Sequence, residues 1–183
     1  MSNIGDKERV TQNRVVKLFQ EKLDYRYLGN FEDREGNSNV EEELLTKWLL
    51  SRRVDKALIG KALRELDLAS SMGGGKKLYD ANKAVYNLLR YGVKVKADVG
   101  SNTQTIWLID WENPLNNDFY IAEEVSIKGE HTKRPDVVVY VNGIALAVIE
   151  LKRSCVSVVR GSDKTLITKK KSLSETFLPR CNW

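Results

Sequence analysis

The chain has 183 residues, with 30 lysines and arginines against 25 aspartates and glutamates, a formal net charge of +5. That length supports one real core with room for an attached helical subdomain, and its longest apolar runs, 137–141 and 144–149, are far too short for a membrane span. Cys155 and Cys181 have neither a metal-ligand spacing nor a disulfide framework, and the opening stretch lacks a signal-peptide run, so a cytoplasmic protein is expected. The basic balance permits a nucleic-acid partner without requiring one, because Lys169, Lys170, Lys171 and Arg180 concentrate much of it in the tail.

Val15, Leu18, Phe19 and Leu23 recur at helical spacing and predict an amphipathic helix over residues 9 to 23. Tyr25, Tyr27 and Phe31 follow as an aromatic stripe read as packing surface. A second helix is expected from Ser38 or Asn39 as N-cap to about Arg52, with the acids Glu41, Glu42 and Glu43 in its first turn. Glu41 lies on the inward face with Leu44, Leu45 and Trp48. Residues 54 to 70 predict a third helix, broken by Gly73, Gly74 and Gly75. Those glycines precede Lys76 and Lys77 but make no phosphate loop, since Ser70 stands where the first glycine belongs and no strand precedes them.

A fourth helix is expected over Asp80 to Tyr91, stopped by Gly92. The period then drops to two: Val93, Val95, Ala97 and Val99 alternate with Lys94, Lys96 and Asp98, and 103–109 is the predicted partner strand. Phe119, Ile121, Val125 and Ile127 mark a further strand on odd positions. Glu123 falls in that apolar series, where a carboxylate is costly without a partner or a metal. His131 sits in a polar loop and is read as a surface residue.

The stretch from Arg134 to Arg153 reads as two apolar strands joined at Asn142-Gly143, a dipeptide suited to a tight turn with positive φ. Strand parity puts Glu150 and Lys152 on one face. Asp136 joins them only in one of two registers. A two-residue loop pairs 136 with 149 and sends Asp136 and Glu150 to opposite faces, whereas a three-residue loop from Val141 to Gly143 pairs 136 with 148 and puts both on one face. In that second register the carboxylates are diagonal neighbours, roughly 7 Å apart at Cβ. Two such carboxylates suit Mg²⁺, which takes one or two from protein and leaves its other positions to water and phosphate. A lysine beside the metal would act on the attacking water. Asp136, Glu150 and Lys152 are therefore expected to share a cavity.

Thr11-Gln-Asn-Arg14, Tyr25-Arg-Tyr-Leu-Gly29, Asn37-Ser-Asn39, the segment Asn82 to Gly92, Leu108-Ile-Asp-Trp111 and this hairpin, in that order, resemble the N-terminal region of the R subunit of type I restriction-modification enzymes. The likeness covers about residues 8 to 158. It implies an α/β fold with a PD-(D/E)xK restriction-endonuclease-like core, a mostly antiparallel central sheet flanked by helices, and a helical N-terminal half. It implies a Mg²⁺-dependent endonuclease acting on double-stranded DNA alongside methyltransferase and specificity subunits, with ATP bound only in the full-length subunit. Asp136, Glu150 and the Leu151 carbonyl would hold Mg²⁺, with Glu41 or Glu123 as a further ligand, and Lys152 would serve catalysis. Arg134 and Arg153, at the ends of the same strands, are candidate phosphate contacts.

The expected organisation is a helical part over 1–92, the sheet and nuclease hairpin over 93–158, and an irregular basic tail over 159–183. From Ser157 onward no period of two or 3.6 is sustained. The family would continue into a helix carrying glutamine, where this chain has Arg160-Gly-Ser-Asp-Lys164. The tail is read as a frame-shifted remainder, and the chain as a truncated nuclease, poorly active or inactive alone. The competing reading is a non-catalytic module that docks on the partner subunits.

Overall fold

The computed structural model describes residues 4–72, 75–126 and 134–151. They form a mixed α/β fold divided into two compact units: 4–38, 119–140 and 145–151 make the first, and 39–118 with 141–144 make the second.

α1 (Ile4–Lys22) lies against a four-stranded sheet of order β1-β4-β5-β6, built from β1 (Arg26–Asn30), β4 (Phe119–Glu123), β5 (Val137–Val141) and β6 (Ile144–Ile149), all in the first unit but for the turn residues 141–144. α1 begins earlier than the periodicity predicts and presents a different stripe. Gln12 and Val16 are buried and Phe19 half-buried, while Leu18 and Leu23 are about half exposed at 51% each. Steps of four and three residues keep Gln12, Val16 and Phe19 on one side of the helix. The aromatic stripe proves to include a strand: β1 pairs in parallel with β4 and carries a register shift between Tyr27 and Gly29. The irregularity, together with Gly29 at φ 119, hid the alternation that marks a strand.

β4 and β5 are antiparallel. The amide of Glu124 donates to Asp136 O at 3.1 Å and that of Asn142 to Asp118 O at 2.8 Å, and both bonds fit one register in which Ile121 faces Val139 and Glu123 faces Val137. Val16, Ile121, Val137 and Val139 form one apolar layer, with Phe19, Tyr25 and Ile149 packed against it. β4 stops at Glu123 because Glu124 turns left-handed at φ 50. The odd-position pattern is also incomplete, since Tyr120 and Ala122 are buried beside Ile121.

The second unit holds α2 (Glu42–Ser51), α3 (Lys56–Ser70), α4 (Leu78–Tyr91) and the hairpin of β2 (Val93–Lys96) with β3 (Thr103–Ile106). α3 contacts α2, α4 and β2. α2 starts later than the Ser38 or Asn39 cap predicts. Val40 makes an antiparallel bridge to Ile144 and the Glu41 amide donates to Gly143 O at 2.7 Å, so the chain stays extended up to Glu41. Asp55 caps α3 through the amide of Ala57. α4 gains a turn at its start, where the Asp80 carboxylate accepts the Lys77 amide. β2 alternates buried valine and exposed lysine as predicted, but it ends at Lys96, and Val99 in the following turn is fully exposed.

The turn between β5 and β6 is the two-residue form, not the three-residue loop on which a shared face for Asp136 and Glu150 was predicted. β5 runs through Val141, β6 opens at Ile144, and Asn142 and Gly143 have φ of 52° and 86°, the left-handed pair of a type I′ turn.

Candidate active site

Asp136 stands one residue before β5. Its carbonyl oxygen accepts the Glu124 amide, and its carboxylate Oδ2 accepts the Leu151 amide at 2.5 Å. That second bond joins the start of β5 to the end of β6, so the two stretches singled out in the sequence meet at the open end of the hairpin. Glu150 is exposed there, beside half-buried Leu151.

Strict alternation from a two-residue turn would place Ile149 on the side away from Val137. Ile149 instead packs on the layer that contains Val137 and Val139.

Gln12, Glu124 and Arg134 form a chain of polar contacts that ends on the Asp136 backbone. Gln12, 3% exposed on α1, donates from Nε2 to Glu124 Oε1 at 3.0 Å and to Asp136 O at 3.2 Å. Arg134 holds the other Glu124 oxygen from Nε at 2.9 Å and also pairs with Glu32. Arg134 is thus engaged with two carboxylates, and a phosphate would have to compete with them.

Two further acids are candidates for the metal. Glu123 is 4% exposed and faces Val137; its carboxylate accepts the Tyr27 hydroxyl at 2.5 Å and pairs with Arg9 at 3.3 Å. Burial first, then the hydrogen bond and the charge of Glu123, push the Tyr27 hydroxyl up to about 12, with Arg9 pulling the other way. A phenol and a guanidinium offset part of the cost of this buried carboxylate, while its Oε1 has no hydrogen-bond partner among the described residues beyond the ion pair with Arg9. Glu41 belongs to the second unit, as the residue capping α2, with no side-chain bond to the helix start. Lys152, Arg153 and His131 lie outside the described residues.

Sequence reasoning missed Gln12 and Glu124. Gln12 could have been found as a polar residue one turn before Val16 on the inward side of α1. Glu124 carries no signal in the sequence that separates it from Glu123 beside it.

No group of three or more histidine, cysteine, aspartate or glutamate side chains converges among the described residues. Two carboxylates and a backbone carbonyl are hard oxygen donors, which would suit Mg²⁺ chemically. Among the described residues no helix is long and apolar enough to cross a membrane.

The family model for the type I restriction enzyme R protein N terminus matches residues 6–177. The chain belongs to that family. The match runs past residue 158, where the likeness in motifs ends. A putative type I restriction enzyme MjaIXP endonuclease subunit of Methanocaldococcus jannaschii is 36% identical over 76 residues, 38% of this chain and 7% of the relative. The type I restriction enzyme HindI endonuclease subunit of Haemophilus influenzae is 27% identical over 161 residues, 83% of this chain and 15% of the relative. The chain thus matches only a small fraction of the length of these relatives.

Proposed function

We propose that this R-subunit N-terminal region is a nuclease module with a PD-(D/E)xK-like core, hydrolysing phosphodiester bonds of double-stranded DNA with Mg²⁺. The observation that supports it best is the bond from the Leu151 amide to the Asp136 carboxylate, which ties the first carboxylate to the strand end bearing Glu150. In this reading Asp136, Glu150 and the Leu151 carbonyl hold the metal. Bound Mg²⁺ supplies Lewis-acid polarisation of the phosphate and a more acidic water. Lys152 orients that water, and Arg153 meets the DNA backbone. Arg134 acts chiefly through Glu124. Glu123 and Glu41 are the weaker candidates for a further ligand, Glu123 because Tyr27 and Arg9 already occupy it. The module works in a complex with methyltransferase and specificity subunits, and ATP binds outside it.

The test is Mg²⁺ uptake by calorimetry together with cleavage of supercoiled DNA, for the chain alone and with its partner subunits. Asp136→Asn keeps an acceptor for the Leu151 amide while removing the charge, so the fold should persist. Cleavage should drop at least ~10²-fold, as it does when catalytic geometry is disturbed, and Mg²⁺ affinity should fall with it. Cleavage that survives in Asp136→Asn, or a wild-type chain that neither takes up Mg²⁺ nor cleaves in either setting, would overturn the reading and favour a non-catalytic docking module.

A further inference from the structure

The geometry points to Gln12 as a positioning residue that holds the backbone at Asp136, and through it the carboxylate that would carry the metal. The inference rests on the nuclease reading above and adds a residue to it.

Gln12 occupies a position where α1 would ordinarily place a hydrocarbon. Val16 and Phe19 on the same side pack into the apolar layer of the sheet, and an amide at 3% exposure is costly to bury unless its polar atoms are bonded. A leucine would fill the space without that cost. What the amide provides is one NH₂ group with two donors, and both are used: one on Glu124 Oε1 and one on Asp136 O. Both partners are acceptors, a carboxylate and a carbonyl, so the orientation of the amide is determined by the network.

These bonds converge on one peptide. Asp136 O receives the Gln12 amide and the Glu124 backbone N–H, which together fill the two lone pairs of a carbonyl. Glu124 is itself held in the left-handed region at φ 50, its two carboxylate oxygens gripped by Gln12 and Arg134. Three elements thus fix the start of β5: α1 through Gln12, the end of β4 through Glu124, and the end of β6 through Leu151. Only the last touches the Asp136 side chain. Gln12 acts on the carboxylate indirectly, by setting the direction in which the Asp136 Cα–Cβ bond leaves the chain.

The experiment compares Gln12→Leu and Gln12→Glu with wild type by three readouts. The first is amide hydrogen exchange at Leu151 and Glu124, with Ile121 as the reference for global opening. The second is Mg²⁺ affinity by calorimetry without DNA, and the third is the division of any cleavage defect between kcat and KM. Gln12→Leu should speed exchange at Leu151 and Glu124 while leaving Ile121 unchanged. Mg²⁺ affinity should weaken about tenfold, the effect typical of removing an outer partner of a metal ligand. Cleavage should fall about 10²-fold in kcat at unchanged KM. Gln12→Glu keeps the shape but turns an acceptor toward two acceptors, and should be worse on all three. If Gln12→Leu folds and its Leu151 exchange, Mg²⁺ affinity and kcat match wild type, the bonds are structural only and the inference falls. If Gln12→Leu fails to fold, Gln12→Glu decides by the same readouts, and its failure to fold would likewise mark the bonds as structural. A wild-type chain without Mg²⁺ affinity would overturn both the nuclease reading and this inference. Wild-type Mg²⁺ uptake with unchanged variants overturns this inference alone.

Discussion

Glu123 shows how a single buried charge is accommodated. At 4% exposure it needs partners, and it has the Tyr27 hydroxyl and the Arg9 guanidinium. Tyr27→Phe removes one of them and should lower unfolding free energy by about 1–3 kcal/mol, the usual cost of leaving a buried polar group without its partner. Denaturant midpoints would measure it, and an unchanged midpoint would mean that Arg9 suffices. The phenol also gives a pH dependence of known sign. Its folded value is pushed up to about 12, above the roughly 10 of an unfolded tyrosine. Its contribution is therefore complete below about pH 10 and is lost as pH rises toward about 12. Stability against pH should show that decline in wild type, and Tyr27→Phe should reduce it to the share of Tyr25, whose hydroxyl burial also pushes up.

At the scale of elements, the Asn142-Gly143 turn is the most tightly specified. Asn142 is fully buried, and every polar group it owns except its carbonyl has a named partner: its amide meets Asp118 O, its Nδ2 meets Leu108 O and Asn117 Oδ1, and its Oδ1 accepts the Asp118 amide. Asn142→Ala would leave several of those partners unbonded in a left-handed position, at an expected cost of about 2–4 kcal/mol. A chemical-denaturation shift below about 1 kcal/mol would contradict it. Gly143→Ala should be worse. A Cβ there would meet Glu41 O at 2.6 Å, Leu44 Cβ at 2.9 Å and Leu45 N at 3.0 Å, on a residue with φ 86. We expect little soluble protein from that variant, and a yield and melting temperature like wild type would show that α2 can retreat.

For the molecule as a whole, the charge argues for a particular mode of DNA binding. The net +5 is small, and Lys169, Lys170, Lys171 and Arg180 supply much of it. Arg134 is meanwhile engaged with Glu32 and Glu124. Duplex DNA should bind weakly, without sequence preference and with a steep loss on adding salt, because phosphate neutralisation supplies the affinity. Anisotropy titrations at two salt concentrations on two unrelated duplexes would test this. Tight binding to one sequence at physiological salt would refute it.

Features that rest on local chemistry were legible in the residues alone. The helix stop at Gly92, the alternation of Val93 to Lys96 and the Asn142-Gly143 turn all came through, since each rests on a backbone preference or on a short period. Asp136 and Glu150 were legible as carboxylates at the two ends of that hairpin. The rest came from contacts between distant parts of the chain. The start of α2 moved because Val40 and Glu41 are taken by Ile144 and Gly143 from far along the chain. β1 was hidden by a register shift whose partner strand, β4, lies about ninety residues away. The inward face of α1 settled on Gln12 and Val16 in place of Leu18, because what a helix buries is set by the sheet it meets and not by its own count of apolar residues. The loop length predicted to bring Asp136 and Glu150 to one side was wrong. The bond from the Leu151 amide to the Asp136 carboxylate, a contact no local pattern encodes, joins the two strand ends instead.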